Sequence, residues 1–581
     1  MPESSDERAL ASALVARDDA ELTALLLARG IAPSASWEDA FDAATALLEE
    51  SAVERALLRA PRFVLVALGE AVTEATALPD RARDWAWRRG LVDDAGALFG
   101  GVAQRIRDLA DREPAAFEAR TAADPSPATE DERHAAEERA FSSVSALTDL
   151  LVAASDIPLL RTGAGQVSAV DRRRLVDAGA VADAEELEDL VASAAEAGLV
   201  RGVEREWVVT VDGLAWLEKG TADRWERIVR AFPGALGEGL VTDDGGFAPP
   251  SRWPDAFPLD PAWPDRASRT WRVALRWGLY APSGAEPDWT TALRRTGTPA
   301  TAAFAELLPA EIDRVYLQAD LSAIAPGPLA PAIELRLRRM AVRESRAQAS
   351  TYRFTPASVA SAVALGETAA SLRAFLGGIS LTGIPQPLDY LVEQESARHG
   401  LVRVGVDPAS GRTRIESADR ELLAAIAVDQ ALRPVGLVPD GDALASRVGR
   451  DAVYWTLADA RYPVVAVDAA GAAERPVRRE PPAASRPATP DYGRLVAVLR
   501  AAQDDGSDAA WLQRELDRAA RERQTMTVVV AMPGGATREF LLEVTGLGGG
   551  RLRGRDRSAD VERTLPVASI VSARPAEDAT A

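Results

Sequence analysis

The chain has 581 residues, with 88 Asp and Glu against 67 Lys and Arg, for a net charge of −21. Bulk charge of that sign repels nucleic acid, so any contact with it has to come from a local basic patch. Cys is absent and His occurs only as His134 and His399, which removes disulfides, thiolate metal sites and cysteine nucleophiles and leaves little for imidazole chemistry.

Apolar residues make up 47% of the chain and aromatics 6%, a composition of ordinary globular cores, and the length suits roughly three to five domains. No apolar run reaches the ~18–20 residues of a membrane span. The start, MPESSDERAL, lacks the basic segment and apolar stretch of a signal peptide. A cytoplasmic protein with no membrane contact is expected. Basic charge is almost all arginine. The one lysine, Lys219 in WLEKGTADRW, has no phosphate cradle around it, and a P-loop needs G-x-x-x-x-G-K-[ST]. No ATPase motor is present. No metal-ligand or acid/base spacing stands out either, so the expectation is a non-enzyme without cofactors.

Taken in order, residues 7–110 read as a helical module, with Leu10, Leu14, Leu22, Leu25, Leu26, Leu47 and Leu57 on inward stripes. Ser36 is expected to cap the helix that carries Phe41 and Leu47, with Asp39 in the capping box. Residues 111–140 are polar and Pro-containing and read as a linker or exposed loop, with His134 solvated. Residues 142–230 fit a winged-helix-like domain: a helix over 143–153, a helix opened by Ser168 and Asp171, a third helix over 183–198, then a hairpin over 199–203 and 206–210. In helix-turn-helix readers the recognition helix enters the major groove. Here its expected outer positions are Glu185, Glu186, Glu188, Asp189 and Glu196. Such a helix repels phosphates, so a structural or protein-contact role is expected for it. Arg172, Arg173 and Arg174 on the preceding helix are the opposing feature. Residues 231–310 hold eleven Pro and several Trp and read as a small helical module.

Residues 311–468 read as an α/β unit: a strand at 315–321, a loop at 322–328, a helix over 331–345, a strand at 352–354, and a helix capped by Thr355 with Pro356 in its first turn. A further helix opens at Pro385-Gln-Pro387 and ends at His399-Gly400, where a histidine suits the helix C-terminus. Hairpin strands at 401–406 and 413–417 and later helices complete it. Arg336, Arg338, Arg339, Arg343 and Arg346 against Glu334 and Glu344 make residues 331–350 locally basic, a candidate nucleic-acid contact. The pattern YRFTPASV…IPQPLDYLVEQESARHG resembles the domain that precedes the motor in XPB-type DNA helicases, over residues 315–468. That resemblance implies a fold and a DNA-repair or helicase context, not a catalytic site.

Residues 469–490 read as a flexible Pro/Ala/Arg-rich linker. Residues 491–575 read as two helices followed by short strands that suggest a small SH3-like β-barrel. The order of strand, turn, RLRGRD and final strand resembles the WYL domain of bacterial regulators, with Arg551-Leu552-Arg553 where Trp-Tyr-Leu would stand. Arg551, Arg553, Arg555 and Arg557 alternate along one strand, so they share a face and are a second candidate nucleic-acid contact. The whole resembles helicase-associated proteins of high-GC Gram-positive bacteria.

The expected fold class is α+β multidomain, mainly helical. It comprises an N-terminal helical module, a winged helix, an α/β helicase-associated domain and a small C-terminal SH3-like β-barrel. The expected function is a non-catalytic, DNA-linked accessory or regulatory protein that contacts DNA through its arginine patches. The alternative is an acidic scaffold docking on a separate helicase or nuclease.

Overall fold

The computed structural model describes residues 3–345, 349–469, 471, 473–474, 480–483, 490–501, 507–532 and 536–576. The linker expected over 469–490 lies largely outside those residues, as does Arg346. The protein is α+β, with many helices and four small sheets. It divides into two compact units, one of residues 1–121, 255–261 and 489–581, the other of residues 122–254 and 262–488. Among the described residues no helix is long and apolar enough to cross a membrane. The bent pair Pro356–Ala364 and Ala369–Ile379 passes the test by composition alone, and its Val359, Ala362, Leu372 and Leu376 lie in a protein core.

In the first unit the leucine stripes build a helical core. Leu10, Leu14, Leu22, Leu25, Leu26, Leu47, Leu57 and Ile106 are buried together. Asp39, not Ser36, caps the Ala40–Leu48 helix and accepts from the Phe41 and Asp42 amides. The helix Gly493–Ala501 contributes Leu495, Val496 and Leu499 to the same core, and Tyr492 donates its hydroxyl to the Ile31 carbonyl at 2.8 Å. The last strands form a five-stranded antiparallel sheet, Thr525–Ala531, Thr537–Gly548, Arg551–Asp556, Val561–Pro566 and Ile570–Pro575. The first strand pairs with both the second and the fifth, and the fourth lies at the far edge. The last two strands, Val561–Pro566 and Ile570–Pro575, are separated by a short turn of helix at Val567–Ser569. No pairing between the two edge strands closes the sheet into a barrel. Its inner face packs Met526, Val528, Phe540, Leu542, Val544 and Leu552 against Leu516 and Ala519 of the helix Ser507–Glu522.

In the second unit a 27-residue helix runs from Glu130 to Asp156. Its first three turns are the acidic stretch expected to be a loop. Thr129 and Glu132 form a capping box there, and three carboxylates sit in the first turn, where the helix dipole favours them. Then come a short strand Leu159–Leu160, helices Ala169–Asp177 and Ala184–Glu196, and the hairpin Val200–Val203 with Glu206–Val209. The sheet order places Glu206–Val209 in the middle. The Trp-rich segment supplies a helix Trp263–Arg276 and an aromatic core of Trp225, Trp253, Trp277, Trp289 and Tyr280.

Two α/β layers follow. The first sheet orders Tyr316–Leu317, Ser322–Ala325, Ser350–Arg353 and Val342–Arg343. Residues 322–325 are therefore a strand rather than a loop. The helix that begins at Pro331 stops at Met340, so Arg343 lies on a strand. Thr355 caps as expected, in a capping box with Ser358. The second sheet has six strands, among them the hairpin Val402–Val406 with Thr413–Ser417. His399 ends the helix Gln386–Arg398, and burial lowers its pKa, which favours the neutral ring over the imidazolium that a helix-dipole role requires.

Candidate nucleic-acid interface

The acidic helix Ala184–Glu196 carries only part of its charge to water. Asp189 is 1% exposed and accepts two hydrogen bonds from Arg272, at 2.8 Å from Nε and 2.9 Å from Nη2. Arg276 reaches Asp189 at 3.5 Å and Glu186 at 3.0 Å, and Arg272 also pairs with Glu185 at 3.0 Å. Both arginines stand on the Trp263–Arg276 helix, one turn apart. Glu188 accepts from the Val167 amide at 3.2 Å and lies 3.8 Å from Arg172. Of the expected solvent-facing set, only Glu185 and Glu196 are exposed. The expectation is corrected for Asp189, Glu186 and Glu188: an arginine helix distant in sequence covers Asp189 and Glu186, and the Val167 amide with Arg172 engages Glu188. Of the basic triplet only Arg173 is fully exposed, and Arg174 pairs with Asp171 at 2.9 Å.

The arginine stretch after Pro331 is likewise turned to internal use. Arg336 makes a two-pronged contact with Glu367, at 2.8 Å and 2.9 Å, over the Phe375 ring. Arg338 and Arg343 have side chains only 6% and 9% exposed. Arg338 pairs with Asp149 and with Glu334 at 2.9 Å. Arg343 stands 3.6 Å from Asp149 and 3.7 Å from Glu334, and donates to the Ser145 and Ser350 hydroxyls. A third guanidinium, Arg224, joins them, 3.4 Å from Glu334. Burial works to lower the pKa of Arg338, but Glu334 and Asp149 outweigh it and hold the group above its ordinary value. Burial lowers Arg224 despite Glu334. Burial would raise Glu334, yet Arg338, Arg224 and Arg343 keep its carboxyl below the usual range. Among the described arginines of the stretch, Arg339 is the exposed one. As a solvent-facing patch the stretch is therefore corrected for Arg338 and Arg343: their carboxylate partners draw them inside.

The C-terminal sheet presents its arginines differently. Along Arg551–Asp556 exposure alternates, with Leu552, Gly554 and Asp556 inward and Arg551, Arg553 and Arg555 outward. This strand is interior to the sheet, not an edge. Arg555 pairs with Asp560 at 2.7 Å, and Arg557, in the turn beyond the strand, with Glu543 at 2.9 Å. Arg551 and Arg553 hydrogen-bond or pair with no described residue. Their neighbours across the sheet are Gly548 and Gly546 on one side and Pro566 and Thr564 on the other. A side chain added at either glycine would meet nothing within 4 Å. Two free guanidiniums thus border a strip of bare backbone, where a polyanion can approach closely. Among the described residues the outer face carries no aromatic platform: Phe540 is buried, with Arg538 and Arg563 over its ring.

A separate cavity of about 650 Å³ lies in the second unit between the Trp263–Arg276 helix and the Pro-rich segments around Pro125 and Pro250. Trp253 and Trp271 line it. Among the described residues no group of three or more His, Asp or Glu could hold a metal ion. Sequence reasoning missed Arg224 and Asp149. A signal was there: Arg224 interrupts an otherwise apolar helical stripe with Trp225, Ile228 and Phe232.

Residues 315–439 match the family model of the helicase conserved C-terminal domain. This supports a helicase-associated domain over the first α/β layer and into the second. No curated protein matches the chain.

Proposed function

We propose that the protein is a non-catalytic, DNA-linked accessory or regulatory factor that holds DNA by its phosphates on the outer face of the C-terminal sheet. The unpaired Arg551 and Arg553 beside Gly546 and Gly548 carry this reading. The basic balance of residues 507–576, eleven arginines against nine carboxylates in a chain of net charge −21, supports it. So does the family match over 315–439. Without stacking aromatics the contact is to the backbone and not to bases, so duplex is held at least as well as single strand. In this reading the helix–strand–helix–helix–hairpin segment is a winged helix used as structure, residues 315–468 are an XPB-type accessory domain, and the C-terminal sheet is a WYL-like module with a rebuilt ligand face. Of the expected DNA contacts among the described residues, Arg339, Arg551 and Arg553 are exposed without an ion pair, and the exposed Arg555 and Arg557 are recruited by exchange of their carboxylate partners.

The test is a salt titration of full-length protein against duplex and single-stranded DNA. Each phosphate contact adds about 0.9 to the slope of log affinity against log salt for duplex. Arg551→Ala with Arg553→Ala is expected to lower that slope by about 2 and weaken all sequences alike. Binding without salt dependence, or unchanged in the double variant, refutes the reading. The Trp253–Trp271 cavity favours the second reading, a scaffold that docks a partner helicase or nuclease through an extended, proline-containing segment.

A further inference from the structure

The buried arginine cluster has an unbalanced charge. Three guanidiniums, Arg224, Arg338 and Arg343, face two carboxylates, Asp149 and Glu334, and each of the five side chains is 11% exposed or less. They come from four elements: the Glu130–Asp156 helix (Asp149), the Thr221–Ala235 helix (Arg224), the Pro331–Met340 helix (Glu334 and Arg338) and the Val342–Arg343 strand (Arg343); the neighbouring Ser350–Arg353 strand adds only Ser350 and Tyr352. The next carboxylate, Glu311, is exposed and engaged with the Thr221 amide at 3.0 Å. One positive charge is left over in a place where water does not screen it, and an uncompensated buried charge is costly.

The same place holds a cavity of about 30 Å³, bordered by Thr148, Thr221, Arg224, Arg343, Tyr352 and the Glu334 carboxylate. That is room for one or two water-sized particles. Its polar lining is mostly N–H and O–H donors, with Glu334 the one carboxylate among them, and the buried Nε of Arg224 has no partner. We propose that this cavity binds a single monovalent anion of halide size, chloride under ordinary conditions, which neutralises the cluster. A cation is repelled by the surplus guanidinium, and a phosphate does not fit the volume. The ion then ties the helical segment that carries Asp149 and Arg224 to the helicase-associated layer that carries Glu334, Arg338 and Arg343. Arg343, part of what looks like a nucleic-acid patch in the sequence, becomes a wall of an ion site beside Arg224.

The test uses full-length protein melted in sodium chloride and in sodium gluconate at equal ionic strength and pH. The melting temperature is expected to rise with chloride, and above half-saturation to climb with the logarithm of its concentration. Bromide is expected to substitute. Arg224→Leu leaves two guanidiniums against two carboxylates, and Thr148→Leu fills the space without changing charge; both are expected to melt alike in the two salts. The ³⁵Cl resonance of chloride should broaden with wild-type protein and sharpen again on adding bromide. Equal melting of the wild type in both salts, a chloride dependence that survives either substitution, or no bromide-reversible broadening overturns the proposal. The resonance measurement needs no variant, so it decides even where a substitution prevents folding.

Discussion

Asp189 shows how far a residue's neighbourhood departs from its local sequence. It belongs to an acidic run, yet it is the buried acceptor for Arg272 and Arg276. Asp189→Ala leaves Arg272 and Arg276 without their central acceptor and is expected to cost on the order of 3 kcal/mol in urea unfolding. The same logic applies to Arg338 and Arg343. Their positive charge was legible in the sequence, but their burial was not, because Asp149 stands nearly two hundred residues earlier and no periodicity links the two. Arg551 and Arg553 were legible because strand alternation alone sets their direction. Glu137 makes a pH prediction at this scale. Burial, with some help from Glu138 and against His134, pushes its pKa from 4.5 up to about 7. The folded state then holds a proton that the unfolded chain has lost between those values, so this group makes stability fall as pH rises from about 4.5 to about 7. Glu137→Gln is expected to melt higher than wild type at pH 8 and to match it near pH 4, as read by thermal denaturation at both values.

Elements were legible where short-range chemistry defines them. Ser168 and Thr355 cap the helices they were expected to cap, because the cap depends on residues within a turn. Boundaries were lost where tertiary contacts override propensity. The helix after Pro331 could continue by composition, but it stops at Met340 so that Val342 and Arg343 can pair with Tyr352 and Arg353. The acidic stretch before Phe141 looked like a loop because its charges hide the stripe on which Ala136 and Ala140 pack. That helix crosses the Trp263–Arg276 helix end at Gly278, which has φ +65° and so little room that an added Cβ would lie 2.3 Å from the Ala136 carbonyl oxygen. Gly278→Ala meets both the backbone strain and the collision. A loss of more than about 1 kcal/mol is expected, seen as a lowered melting temperature with the fold retained.

At the scale of the molecule, the domain reading in chain order misses one arrangement. The helix Gly493–Ala501 belongs to the core built by the first hundred residues: Leu495, Val496 and Leu499 are buried there, and Arg500 bonds the Val15 carbonyl at 2.8 Å and Asp19 at 3.0 Å. Nothing local in GRLVAVLRA announces a partner almost five hundred residues away. Leu495→Ala is expected to cost about 2–5 kcal/mol, in the range of a large-to-small core change. Hydrogen exchange should show the loss in the N-terminal helices as well as in the substituted helix.

That closure also sets a timetable. Synthesis proceeds at about 5–20 residues per second, so roughly 20–80 s separate the emergence of the helix Gly100–Arg112 from that of Gly493–Ala501. For that interval the first helices made have no lid over Leu10, Leu14 and their neighbours, and the part of the protein that is translated first is finished among the last.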